Sequence, residues 1–150
     1  MIIPKEDITI AIFGKRGREH ALAHKVARSR SVSRVFVIPG NAGTADEPKV
    51  TNAVLPDEKP STAADWCATQ GVHIVIVRPQ EPELAVLVDK LQTCGIAVFA
   101  PGSKGAKIEL SKLWAKRFMR RHGIPTPAWV RCSTMAAIHA VVKDHAGKTP

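Results

Sequence analysis

The sequence predicts an α/β fold: a doubly wound parallel sheet with helices on both faces. Three observations carry this reading. Apolar runs rich in Val and Ile recur at 8–13, 35–38, 73–77 and 96–99. The runs are continuous instead of alternating, as strands buried on both faces require. Between them lie stretches with apolar residues at helical spacing, the order expected of βαβ units with right-handed crossovers.

The elements follow in turn. Residues 8–13 form the first strand and end at Gly14. Residues 18–29 carry Ala21, Leu22 and Val26 at helical spacing with no breaker. The second strand, 35–38, is stopped by Pro39-Gly40, and a weaker strand is expected within 50–55. Ser61 is placed to cap a helix over 62–70 that Gly71 ends. Strand 73–77 precedes a helix over 83–94, with Leu84, Leu87, Val88 and Leu91 on one face and Gly95 as its stop. The last strand, 96–99, leads into Pro101-Gly102, where a boundary is expected: a domain over 1–101 and a second segment over 102–150. A basic amphipathic helix is expected over 107–122, then a short strand at 129–132. Thr134 is placed to cap a final helix over 135–145.

Composition narrows the function classes. The 150 residues are 45% hydrophobic, enough for a real core and against disorder. No apolar run approaches the roughly 20 residues of a membrane span, and the first one is too short and badly flanked for a secretory signal. The cytoplasm is therefore expected. Cys67, Cys94 and Cys132 are too far apart in sequence for a zinc or disulfide framework and are expected to be buried free thiols. The net charge is +9, and two segments, 14–34 and 104–121, supply 14 of the 22 cations. Such clustering points to an anionic partner, either a phosphate-bearing small molecule or nucleic acid. Three Trp, four Phe and no Tyr offer little for base stacking, which disfavours nucleic acid.

In a parallel sheet, ligands sit at the carboxyl ends of the strands. Three loops occupy that position: 14–20, 39–44 and 78–83. The first follows a strand and opens a helix, whose free N–H groups attract phosphate. The second offers two glycines, an Asn and a Thr. The third is stiffened by Pro79 and Pro82 and carries carboxylates suited to an amine or to ribose hydroxyls. His20 and His24 lie four apart on a helix, but with no third ligand placed they make a poor metal site.

Gly17-Arg18-Glu19-His20-Ala21-Leu22 after the first strand and Pro39-Gly40-Asn41-Ala42-Gly43-Thr44 after the second resemble the phosphoribosylamine–glycine ligase family. Glu47-Pro48-Lys49-Val50, Phe99-Ala100-Pro101, Glu109-Leu110-Ser111-Lys112 and His122-Gly123-Ile124-Pro125-Thr126 extend the resemblance over nearly the whole chain in one order. It implies a Rossmann-like domain that precedes an ATP-grasp domain, with residues 102–150 an incomplete start of the latter. It implies ATP-dependent formation of glycinamide ribonucleotide in purine synthesis, with ATP and Mg²⁺ as cofactors. Gly14, Gly17, Arg18, Glu19, His20, Asn41, Gly43, Thr44, Pro79 and Gln80 would bind phosphoribosylamine, and Lys112 would reach toward ATP.

The sequence departs from the family at these loops. The family's first loop reads Gly-Ser-Gly-Gly-Arg-Glu-His, and here Lys15 and Arg16 stand at its second and third positions. A left-handed backbone at either would cost about 1–2 kcal/mol, so a strained cradle is expected. Arg78 and Gln80 replace the third loop's Gly and Glu. The family is also roughly three times longer, so the chain is expected to be inactive as a ligase alone. A non-catalytic remnant of the ligase is the alternative reading, and a basic nucleic-acid module is a weaker one.

Overall fold

The computed structural model describes residues 3–78 and 81–145. In chain order the elements are β1 (Ile8–Gly14), α1 (Gly17–Ala27), β2 (Val32–Pro39), α2 (Ala42–Ala45), β3 (Val50–Asn52) and α3 (Pro60–Thr69). There follow β4 (Ile74–Val77), α4 (Pro82–Thr93), β5 (Ala97–Phe99), α5 (Ser103–Leu110), α6 (Lys112–Arg121) and α7 (Met135–His145). The five strands are all parallel, in the order β3-β2-β1-β4-β5. The expected doubly wound α/β architecture is present. Because the chain leaves β1 first toward β2 and later toward β4, the strand order reverses at β1, and the crevice beside its carboxyl end is where such folds hold ligands.

Successive β1 residues enter different cores. Ile10 and Ile12 pack with Val35, Val37, Ala23 and Ala27 beneath α1. Ala11 packs with Phe36, Val75 and Val77 against Cys67 of α3 and Leu87, Val88 and Leu91 of α4. Burial on both faces is why these strands are apolar at every position. Each fully buried Val, Leu or Ile contributes about 1.5–3 kcal/mol relative to exposure.

Several local expectations need correction. Ser61 does not cap α3: Pro60 takes the first helical position, where its missing N–H costs nothing, and Lys59 is the N-cap. The basic helix is two helices, not one. Ser111 is extended, at φ −132°, and its hydroxyl accepts from the Trp114 N–H (3.3 Å), so a cap interrupts a pattern that looked continuous. Residues 129–132 form no strand; the Arg120 guanidinium lies over the Trp129 ring, 5.7 Å from its centroid. Thr134 does cap α7, accepting from the Ala137 N–H (3.2 Å).

The chain divides into two compact units, Met1–Leu110 and Ser111–Pro150. In the first, α5 is tied to α4 because Asp89 accepts from the Ser103 N–H (3.1 Å). In the second, Trp114 stacks on Phe118 at 5.2 Å, and Lys116 donates to Thr126 (2.6 Å) and to the Pro127 carbonyl (3.0 Å). Among the described residues no helix is long and apolar enough to cross a membrane.

All three cysteines are free, but only Cys67 is buried; Cys94 is exposed and Cys132 lies between. Burial pushes the Cys67 thiol up to about 12. A maleimide or disulfide reagent at neutral pH should therefore label Cys94 readily and leave Cys67 unmodified until the chain is denatured. Mass spectrometry of the native protein checks this, and rapid modification of Cys67 would contradict the packing of α3.

Candidate functional site

The first loop turns on Gly14, whose φ is +141°. A side chain there would be strained and would also strike Glu19, which fills the space. Glu19 is buried and its Oε2 accepts from the Arg16 N–H at 2.9 Å. Only this half of a capping box can form, because a guanidinium has no acceptor to return. The expected strain at the two cations is absent. Arg16 is extended, at φ −101°, and neither it nor Lys15 has a positive φ, so Gly14 alone carries the unusual backbone of this loop. Nothing lies within 4 Å of where a Gly17 side chain would begin, so the start of α1 is open.

The second loop braces the first. Asn41 Oδ1 accepts from the Thr44 N–H (3.1 Å), and Thr44 Oγ1 accepts from the Asn41 N–H (2.8 Å). The Thr44 hydroxyl is fully buried and also lies 2.8 Å from the Asn41 carbonyl and 2.7 Å from Asn52 Oδ1. Asn52 Nδ2 donates to the Asn41 carbonyl (2.7 Å), and Asn41 Nδ2 donates to the Lys15 carbonyl (3.0 Å). Gly40 fits because its φ is +77° and the Asn52 side chain lies where a Cβ would stand. One such Cβ at Gly43 would sit 2.6 Å from the His20 ring.

Glu47 closes the cluster from the turn before β3. His20 Nε2 lies 2.8 Å from its Oε1 and His24 Nδ1 lies 2.9 Å from its Oε2. Hydrogen bonds from His24 and then His20 hold the Glu47 carboxyl below the usual glutamate range. Nearby, Lys49 takes a left-handed backbone, φ 64°, while its ammonium donates to the Ser29 and Val32 carbonyls at 3.1 and 2.7 Å. Asn41 and Thr44 thus bond to each other, His20 bonds to Glu47, and Gly43 leaves room for the His20 ring.

Two clefts open at the carboxyl edge of the sheet. The one on the α3–α4 side has a volume of about 580 Å³. Its lining includes Gly14 and Lys15 together with the acidic residues Asp57, Glu58, Glu81 and Glu83. The cleft on the α1 side, about 710 Å³, is lined by Arg18 and Glu19 together with Arg78 and Glu109. The sequence-assigned residues are therefore divided: Gly14 faces one cleft, Arg18 and Glu19 the other. Pro79 and Gln80 lie outside the described residues. Lys112 is the first residue of α6, in the second unit. Asp57 and Glu58 were not anticipated, since they lie in a loop with no motif; the only signal was their position after a weak strand.

Residues 8–109 match the family described as phosphoribosylglycinamide synthetase, N domain. The chain belongs to that family. It is 41% identical over 133 residues to phosphoribosylamine–glycine ligase of Ralstonia nicotianae, covering 89% of this chain and 31% of that protein. It is 38% identical over 135 residues to the enzyme of the same name from Xanthomonas campestris, covering 90% and 31%. It is 42% identical over 120 residues to the trifunctional purine biosynthetic protein adenosine-3 of Gallus gallus, covering 80% and 12%. The chain thus spans less than a third of the length of these relatives.

The Glu47 cluster generates a pH prediction. A carboxyl whose folded pKa is depressed adds stability above its unfolded pKa and loses it as pH falls through the folded value. Glu47→Gln should lower the melting temperature at pH 7, and the gap to the parent should close as pH falls below about 4, the ordinary carboxylate range. A gap that stays constant from pH 7 to pH 3 would show that Glu47 acts by packing alone.

Proposed function

We propose that this chain is the phosphoribosylamine-binding portion of a phosphoribosylamine–glycine ligase, and that the cleft on the α3–α4 side receives the sugar phosphate. The observation that carries the reading is the mix of charges in that cleft's lining: Lys15 together with Asp57, Glu58, Glu81 and Glu83. Phosphoribosylamine is a phosphate at one end and an amine at the other, with hydroxyls between. The Lys15 ammonium suits the phosphate. Carboxylates suit the amine and the ribose hydroxyls. The hydrogen-bonded second loop, with Asn41, Gly43 and Thr44, fixes the shape of the wall behind them.

Ligation uses ATP and Mg²⁺ in the family as the resemblance describes it. Among the described residues no group of three or more His, Cys, Asp or Glu could hold a metal ion. No step is assigned to Mg²⁺. The second unit is read as the start of an ATP-grasp domain, with Lys112 as the residue placed to meet a nucleotide phosphate.

A thermal-shift titration with ribose 5-phosphate, at fixed ionic strength and with inorganic phosphate as control, tests the proposal. A ligand that binds only the native state raises the melting temperature with concentration, by the equivalent of about 2.7 kcal/mol at 100 times its Kd. The expected result is a saturable rise beyond the phosphate control. Lys15→Ala should weaken it about tenfold or more, since a charge-assisted hydrogen bond contributes about 1.5–3 kcal/mol. A cooperative melt with no ligand-dependent shift would overturn the reading.

A further inference from the structure

The cleft on the α1 side has a different character from the sugar-phosphate cleft. Helix α1 packs on β1 and β2, leaving Ile74 and Ile76 of β4 only partly buried on that face. The floor is apolar, built from Ile12, Leu22, Ile76 and Val98. At its rim Phe99 is 77% exposed, a high value for an aromatic ring at the end of a sheet strand. A flat apolar group could lie along this ring and floor, since base–aromatic stacking is worth about 1–3 kcal/mol.

Two arginines, Arg18 and Arg78, line the same cleft. The Arg18 side chain has no hydrogen-bond or ion-pair partner among the described residues. Arg78 Nη1 lies 3.7 Å from Glu109 Oε1, within ion-pair range but beyond a hydrogen bond. Arg78 Nε is buried and has no hydrogen-bond partner among the described residues. An unsatisfied buried donor is costly. A phosphate in the cleft would supply acceptors to both arginines in the paired geometry that guanidinium favours. Glu19 also lines this cleft, and its Oε2 accepts from the Arg16 N–H, so two carboxylates, Glu19 and Glu109, stand with the two arginines.

We propose that this cleft is a second binding site, for a nucleoside monophosphate: the base against Phe99 and the apolar floor, the phosphate at Arg78 and Arg18. Its volume, about 710 Å³, is that of a small-molecule pocket. Glu109 opposes the ligand, because its carboxylate both repels phosphate and holds Arg78. The proposal stands apart from the sugar-phosphate reading: it uses the opposite face of the sheet and does not involve Lys15.

Isothermal titration of the full chain with adenosine monophosphate tests it, with adenosine and inorganic phosphate as single-part controls. The expected result is saturable binding, at least tenfold tighter than either control. Arg78→Met should weaken it tenfold or more and Phe99→Ser severalfold, each with the parent's circular dichroism. Glu109→Gln should tighten it, an outcome that a purely structural Arg78–Glu109 bridge would not produce. Lys15→Ala should leave it unchanged. Absence of binding would overturn the proposal, as would binding indifferent to Arg78→Met and to Glu109→Gln. Loss of binding in Lys15→Ala, with displacement by ribose 5-phosphate, would place the nucleotide in the other cleft and equally overturn it. If Arg78→Met does not fold, the Glu109→Gln comparison decides alone: no tightening refutes the site.

Discussion

The buried Thr44 hydroxyl is the constraint on which the loop edge of this protein depends. It sits with Asn41 and Asn52 in a network that leaves each polar group a partner. Inside a protein such a network is strong when complete and costly when broken. Through Asn41 it reaches the Lys15 carbonyl, so the loop after β2 sets the position of the loop after β1. Glycines stand where this bracket leaves no room: Gly40 against Asn52 and Gly43 against His20. The hexapeptide 39–44 therefore acts first as a structural clasp, and only through that as part of a binding edge.

What the sequence revealed and what it concealed have separate physical causes. Strands β1, β2 and β4 were legible because a sheet covered on both faces must be apolar at every position. The break between α5 and α6 was not, because Ser111 interrupts a run of helix-compatible residues without disturbing its apolar spacing. Its cap bond to Trp114 is visible only in three dimensions. The two prolines at the starts of α3 and α4 shifted those helices by a residue or two from the expected positions.

At the site, the three loops were legible as a group but their division was not. Arg18 is four residues from Gly14, yet the two line different clefts, since a helix turn carries one away from the other across the sheet edge. Arg78 meets Glu109 only because β4 and α5 adjoin in space. Glu47, distant in sequence from the helix bearing His20 and His24, holds both rings. Lys15 and Arg16 were expected to strain their turn; the backbone instead confines the unusual conformation to Gly14, leaving both cations as charge placed beside the start of α1.

The central claim is that the chain keeps a sugar-phosphate site in the cleft that Gly14 and Lys15 line. An amide NMR titration of the isotopically labelled chain with ribose 5-phosphate tests this most directly, because it reports where the ligand sits. The account predicts saturable shifts centred on the amides of Gly14, Lys15 and Gly17, with the Thr44 amide, already bonded to Asn41, moving less. Shifts confined to the basic helix α6, or no saturable shifts while the spectrum stays well dispersed, would contradict it.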